Sequence, residues 1–305
     1  MKKNWLFCLL IPAPIIAKVL IITHSYNRPD FIEMQYKTFK KCLEDDYEFV
    51  VFNDARETIM VNQINDMCTQ CKLRCIRIPQ EIHSRPYLPR LPNDPLDRPN
   101  IRHANCVQYS MDILGFNHPG IVFIIDSDMF LIRRFNISQY MRDKHIASFI
   151  KTSGEKVWYV CPALCMFDMN TLPDKRSMNF NCGEVHGESV DSGGWTYLYL
   201  IAHPELIVAR ANATWSYQLF LANMDINHPA DHMTSNEVKI NAYRKLGFNE
   251  REIKFLLKKP DTFEFFLDNN FLHYHGGTNH NNLSSHYHDT KLRIFNELID
   301  DIVQN

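Results

Sequence analysis

The chain reads as an α/β protein: a mostly parallel sheet flanked by helices, followed by a less regular second half. Three observations predict this. Lys18–Thr23, Phe49–Phe52 and Ile121–Ile125 are short, continuous apolar runs rich in β-branched or aromatic residues, as expected of strands buried on both faces. Ile32, Tyr36, Phe39 and Leu43 recur at steps of four, three and four, one face of a helix between the first two runs. The resulting strand–helix–strand order within residues 18–52 is the βαβ unit from which parallel sheets are built.

The remaining elements follow along the chain. His24–Asp30 is a polar loop turned by Pro29, and Asn53-Asp54 ends the second strand. Between Pro79 and Pro99 six prolines and little periodicity mark a long loop, a length that in a compact domain suits a lid or binding surface. Ile101, Ala104, Val107, Met111 and Leu114 describe a helix stripe stopped by Gly115 and Pro119-Gly120. His145–Ile150 and Tyr159–Phe167 are predicted strands. Trp195, Leu198 and Ile201 suggest a helix after Asp191–Gly194. Phe263–Leu267 and Phe271–His275 flank the turn residues Asp268-Asn269-Asn270, a hairpin pattern. A last helix is expected over about Lys291–Val303, with Asp289 or Thr290 as its cap.

Size and charge bound the function. A chain of 305 residues, 45% hydrophobic, can bury roughly three quarters of its unfolded surface and needs no disulfide scaffold. One large domain over 18–305 is therefore expected. Thirty-three basic against 35 acidic residues give a net charge of −2, no field for wrapping nucleic acid. Nine cysteines cannot all pair; Cys68, Cys71 and Cys75 form a C-x2-C-x3-C cluster open to three readings: ordinary thiols, a local disulfide or a metal site. Residues 1–17 combine Lys2-Lys3 with an apolar run broken by Pro12 and Pro14. They read either as a signal or anchor, implying a secretory or membrane-associated protein, or as a simple extension of a cytoplasmic one.

The sharpest chemical signal is Asp126-Ser127-Asp128, directly after Ile121–Ile125. In an extended segment residues i and i+2 point to one side, so both carboxylates are expected to face together. Like charges at the tip of an apolar strand call for a cation, and hard oxygen donors suit Mg2+ or Mn2+. Open α/β sheets bind ligands at the carboxyl ends of their strands. A divalent ion there could neutralise a departing diphosphate. The phosphate-binding glycine loops and the catalytic signatures of kinases are missing from the sequence.

Taken in order, Ile-Thr-His-Ser-Tyr-Asn-Arg (22–28), Val-Phe-Asn-Asp (51–54), Arg-His-Ala-Asn (102–105), Ile-Ile-Asp-Ser-Asp (124–128) and Leu-His-Tyr-His-Gly-Gly (272–277) resemble the GT-A glycosyltransferases. The resemblance is best over 18–170. It implies a Rossmann-like fold with a nucleotide-sugar-binding half over 18–135 and an acceptor-side half over 136–305. It further implies transfer of a sugar from a UDP- or GDP-sugar, with Mn2+ or Mg2+, to a carbohydrate, lipid or protein hydroxyl. Tyr26 and Arg28 would border the nucleotide, Asp54 would bond its base or ribose, and Arg102 would approach phosphate or sugar. Asp128 would bind metal directly; Asp126 would bond the ribose, the sugar or a metal-bound water. His275 would be a late metal ligand, with His273 as competitor. Asp191 resembles the acidic acceptor-side residue, a candidate general base, and is equally well read as a helix cap; Glu184, His186 and Glu188 are spare candidates. Two other functions share the signals: a metal-dependent nucleotidyltransferase using a nucleoside triphosphate, and a non-catalytic sugar- or partner-binding protein on the same scaffold.

Overall fold

The computed structural model describes residues 18–84, 98–215, 236–245, 247–250, 253–254, 257, 264–274 and 285–304. Its centre is a seven-stranded sheet. β1 (Val19–Ser25), β2 (Tyr47–Asn53), β3 (Arg74–Arg77) and β4 (Ile121–Ile125) are mutually parallel. β5 (Met129–Leu131) leaves this sheet; β6 (Ile146–Ser153) and β7 (Val157–Asp168) return to it. Adding β10 (Val208–Ala211), the order is β10-β6-β7-β4-β1-β2-β3, and only β7 runs against the others. The short strands β8 (Gly183–Val185) and β9 (Glu188–Val190) form a separate hairpin.

The apolar runs become central strands because alternate residues feed two cores. Val19, Ile21, Val51, Phe123 and Ile125 face one side, where α1 (Pro29–Cys42) and α2 (Thr58–Gln70) contribute Ile32, Phe39, Ile64 and Cys68. Leu20, Ile22, Val50, Phe52, Val122 and Ile124 face the other. There α3 (Glu81–Ser84) supplies Ile82, α4 (Pro99–Ile113) supplies Val107 and Met111, and α6 (Thr196–Ala202) supplies Tyr199 and Leu200. At roughly 25 cal/mol per Å² of apolar surface, this two-sided burial is the main drive for the sheet.

A four-stranded antiparallel sheet packs beside the first, in the order β11 (Ala213–Trp215), β12 (Glu264–Phe266), β13 (Phe271–His273), β5. It closes a third core in which Phe31 and Met34 of α1 meet Phe130, Phe265, Leu272, Tyr274 and the terminal α8 (Ser285–Gln304). Tyr243 of α7 (Asn236–Lys245) lies in the same core. α5 (Ile137–Met141) is a short link, capped by the Asn136 side chain accepting from Gln139 N at 2.7 Å.

Several expectations need correction. α2 and β3 are not among the expected elements; α2 buries Ile64 and Cys68, with Met60, Val61 and Met67 partly buried against the same core. Of the expected stripe Trp195, just before α6, packs on a small core, but Leu198 and Ile201 are exposed, and Thr196, Tyr199 and Leu200 are inside. α8 runs over Ser285–Gln304, so Asp289 and Thr290 lie within the helix rather than before it. The segment after Pro79 opens with α3, and 85–97 fall outside the described residues, as do 1–17. Cys68, Cys71 and Cys75 carry free thiols: Cys71 Sγ lies 3.9 Å from Met67 Sδ, and Cys75 Sγ lies 3.3 Å from Asn65 Oδ1. Among the described residues no helix is long and apolar enough to cross a membrane.

Candidate active site

The chain leaves β1 toward β2 and β3 on one side and returns at β4 on the other. That reversal between β1 and β4 is the topological switch point at which open α/β sheets form a crevice. A cavity of about 460 Å³ opens there, within the ~300–1,000 Å³ typical of small-molecule sites. Its wall holds His24 near the end of β1 and Tyr26 just after it, Asp54 after β2, Asp126-Ser127-Asp128 after β4 and Lys151 on β6. Pro99, Asn100, Arg102 and His103 come from the first turns of α4, so the partial positive charge of a helix N-terminus faces the same space. Because β7 is antiparallel, its first half delivers Cys161 and Ala163 to this edge.

Asp126 and Asp128 do not reach the cavity as alternating strand residues. β4 ends at Ile125, and Met129 N donates to Asp126 O at 3.1 Å, closing a turn. Alternation of an extended strand ends with β4, because the backbone turns at 126–129. The turn is pinned instead by Gln35 Nε2, which donates to Asp126 O at 2.8 Å and to Met129 O at 2.9 Å. Asp126 N donates to Ala163 O at 2.9 Å. Each carboxylate meets an imidazole: Asp126 Oδ1 lies 3.2 Å from His103 Nε2, and Asp128 Oδ1 lies 3.3 Å from His273 Nε2. Burial disfavours a charged His103, but Asp126 outweighs it and raises the imidazole's pKa. Burial likewise opposes charge on His273, and Asp128 with Glu264 pushes it up to about 10.

The other two carboxylates are matched by cations. Asp54 is buried; Arg102 Nη2 donates to its carbonyl at 2.6 Å and to its Oδ1 at 2.8 Å, with Nε 2.6 Å from Oδ2. His83 Nε2 adds a contact at 2.8 Å. Burial would raise the Asp54 pKa, but His83 and Arg102 hold it low. Asp54, His83 and Cys106 cluster closely enough to hold a metal, yet Arg102 already pairs with that carboxylate, so an ion there would have to share it with the guanidinium. Asp191 Oδ2 lies 2.9 Å from Lys151 Nζ, and its Oδ1 accepts from Ser192 N at 2.8 Å. Burial alone would raise Asp191, and Lys151 brings it below its ordinary value. His24 is half-buried, bonded to Ser110 Oγ at 2.9 Å. Burial, then the neighbouring His103, lowers it to about 3 and keeps it neutral.

Tyr26, Asp54, Arg102, Asp126, Asp128 and Asp191 thus share one cavity wall. Arg28 stands elsewhere: it is buried over the Phe31 ring at 3.5 Å and donates through Nε to Asp30 Oδ1 at 2.8 Å. His275 lies outside the described residues; its competitor His273 is the imidazole beside Asp128. Glu184, His186 and Glu188 sit on the β8–β9 hairpin and are not among the lining residues. Sequence reasoning did not single out His103, Lys151 or Glu264. Lys151 had a usable signal, since like Asp54 and Asp126 it is a charge following an apolar strand run. Glu264 had another, a lone carboxylate inside Phe-Glu-Phe-Phe, which needs a partner once buried.

Asp128 and His273, 3.3 Å apart beside the β4 turn, offer an oxygen and a nitrogen donor of the kind that Mn2+ or Mg2+ accepts; among the described residues the one three-residue donor cluster is Asp54, His83 and Cys106. No family model matches the chain, and no curated protein matches it. Among solved structures it is similar to a mannosyltransferase from Pyrobaculum calidifontis in complex with GDP-Man and Mn2+. That match is 12% identical with a TM-score of 0.42, over 80% of this chain and 79% of that one. It is also similar to core-mannan synthase A from Aspergillus fumigatus in an Mn/GDP form, 8% identical with a TM-score of 0.37 over 52% of this chain. There it spans 62% of the other chain, less than two thirds of its length. A third likeness is to glucosyl-3-phosphoglycerate synthase from Mycobacterium tuberculosis, 10% identical with a TM-score of 0.35, covering 64% and 69% of the two chains.

Proposed function

We propose that the chain is a metal-dependent GT-A-type glycosyltransferase, moving a sugar from a UDP- or GDP-sugar to a hydroxyl acceptor. The observation that carries this reading is the meeting of Asp126, Asp128 and Asp191 in one cavity at the β1–β4 switch point. Two carboxylates near imidazoles suit a cation, and a third stands apart from them against Lys151. A bound Mn2+ or Mg2+ would neutralise charge developing on the departing nucleoside diphosphate.

Asp128, with His273 behind it, would hold that ion, and Asp126 would bond the ribose, the sugar or a water of the ion. Tyr26 offers a ring face to the nucleotide and is itself backed by the Arg102 guanidinium, 5.0 Å from its centroid. Asp54 and Arg102 act first on one another, so their part toward donor is to shape that wall and leave Arg102's remaining donors for phosphate or sugar. Asp191 would accept the proton of the acceptor hydroxyl; a general base must stand within hydrogen-bond reach of it.

The test is a panel of UDP- and GDP-sugars with Mn2+, repeated with a chelator and with Asp128→Asn. Metal-dependent release of UDP or GDP, lost in the variant, is the expected result. Pyrophosphate release from a nucleoside triphosphate would instead identify a nucleotidyltransferase. Donor binding that is indifferent to chelator and to Asp128→Asn would leave only a sugar-binding protein.

A further inference from the structure

Glu264 is buried, an expensive place for a carboxylate without a partner. Its partner is set by strand register. Glu264 on β12, His273 on β13 and Met129 on β5 are directly opposed across two antiparallel pairings, and directly opposed residues share one face of a sheet. Leu272 and Tyr274, on either side of His273, point into the third core, so strand alternation turns the imidazole the other way. Glu264 Oε2 stands 2.5 Å from His273 Nδ1, and His273 Nε2 stands 3.3 Å from Asp128 Oδ1. Tyr274 N donates to Asp128 O at 2.8 Å, tying the β13 backbone to the same turn, and Phe266 packs its ring edge on His273 at 5.8 Å. The imidazole is therefore held from three sides.

We infer that Glu264 is a positioning residue that acts through His273, fixing the ring so that Nε2 and Asp128 Oδ1 together form one edge of the divalent-cation site. Two adjacent ligands of an octahedral ion with bonds of ~2.1 Å stand about 3.0 Å apart, close to the 3.3 Å observed. A carboxylate accepting from Nδ1–H leaves the Nε2 lone pair for the ion and makes it more basic. The inference rests on the metal-dependent reading, and it adds a carboxylate from a distant strand to the Asp126-Ser127-Asp128 segment.

The experiment titrates the full chain with Mn2+ alone, following free Mn2+ by its EPR signal, with no donor and no turnover. Glu264→Gln keeps the shape and an acceptor oxygen; Glu264→Leu removes both. Loss of Mn2+ affinity by roughly 10- to 100-fold is expected, larger for Leu than for Gln. In a His273→Ala background neither change should weaken binding further, because a residue acting through the imidazole has nothing left to act on. Thermal unfolding of Glu264→Gln separates this from a structural role: a lowered Tm with unchanged Mn2+ affinity overturns the inference. So does a loss that persists in full without His273. If the wild-type chain binds no Mn2+, the metal-dependent function falls together with the inference; if it binds and Glu264→Gln binds as well, only the inference falls.

Discussion

Lys151 Nζ and Asp191 Oδ2 face one another at 2.9 Å in the cavity wall. Lys151 comes from β6 and Asp191 from the loop after β9, so the pair couples two segments that sequence leaves unrelated. Burial opposes charge on Lys151, but Cys161 and Asp191 raise its pKa and keep it protonated. A base held this way is ionised at neutral pH and weaker than an unpaired carboxylate.

Lys151→Met removes the attraction that lowers Asp191 and leaves the burial that raises it. In the proposed transferase the acid limb of kcat/KM against pH should then move to higher pH, with Asp191→Asn losing the limb and about 10²–10⁴ of the rate. A limb that stays in place in Lys151→Met would remove Asp191 from the role of base.

Arg102→Met leaves the buried Asp54 with His83 and the neutral amide of Gln80, 3.3 Å away. Breaking one side of a buried ion pair costs roughly 3–5 kcal/mol, read as a lower urea midpoint at pH 7. Asp54→Asn in the same chain should recover part of that loss, because the uncompensated charge is gone.

His24 titrates at about 3 in the folded chain against an ordinary 6.5. The unfolded chain therefore binds an extra proton between those values, so stability from this residue is full above pH 6.5 and declines as pH falls toward 3. The difference in urea stability between pH 7 and pH 5 should shrink in His24→Asn.

Gly193 has φ +86°, and a β-carbon there would sit 2.1 Å from Val160 O. Gly193→Ala should cost more than about 1 kcal/mol and shift Asp191, two residues upstream. Gly187, with φ +81° and open space around it, is the control: Gly187→Ala should cost less, and equal losses in urea melts would rule out the clash.

Much of the sheet was legible. Three apolar runs became β1, β2 and β4, and the Asp268-Asn269-Asn270 turn joins β12 to β13 with Leu267, Asp268 and Asn269 at positive φ. Local pattern reports such elements because burial on both faces demands an unbroken apolar run. It does not report who stands opposite whom. His103 beside Asp126, Lys151 beside Asp191 and Glu264 behind His273 all depend on strand order and register, and α6 misled because an apolar stripe looks the same whether it faces in or out. Asp126-Ser127-Asp128 was found by position at a strand end, though its geometry is that of a turn.

α1 is the wall common to two interiors: Ile32 and Phe39 belong to the large sheet, Phe31 and Met34 to the antiparallel one. Melting either side uncovers one of that helix's two apolar faces. The two interiors are thereby coupled through one helix, and a cut that separates β12, β13 and α8 from the parallel strands opens both of them while the core beneath α4 and α6 keeps all its residues.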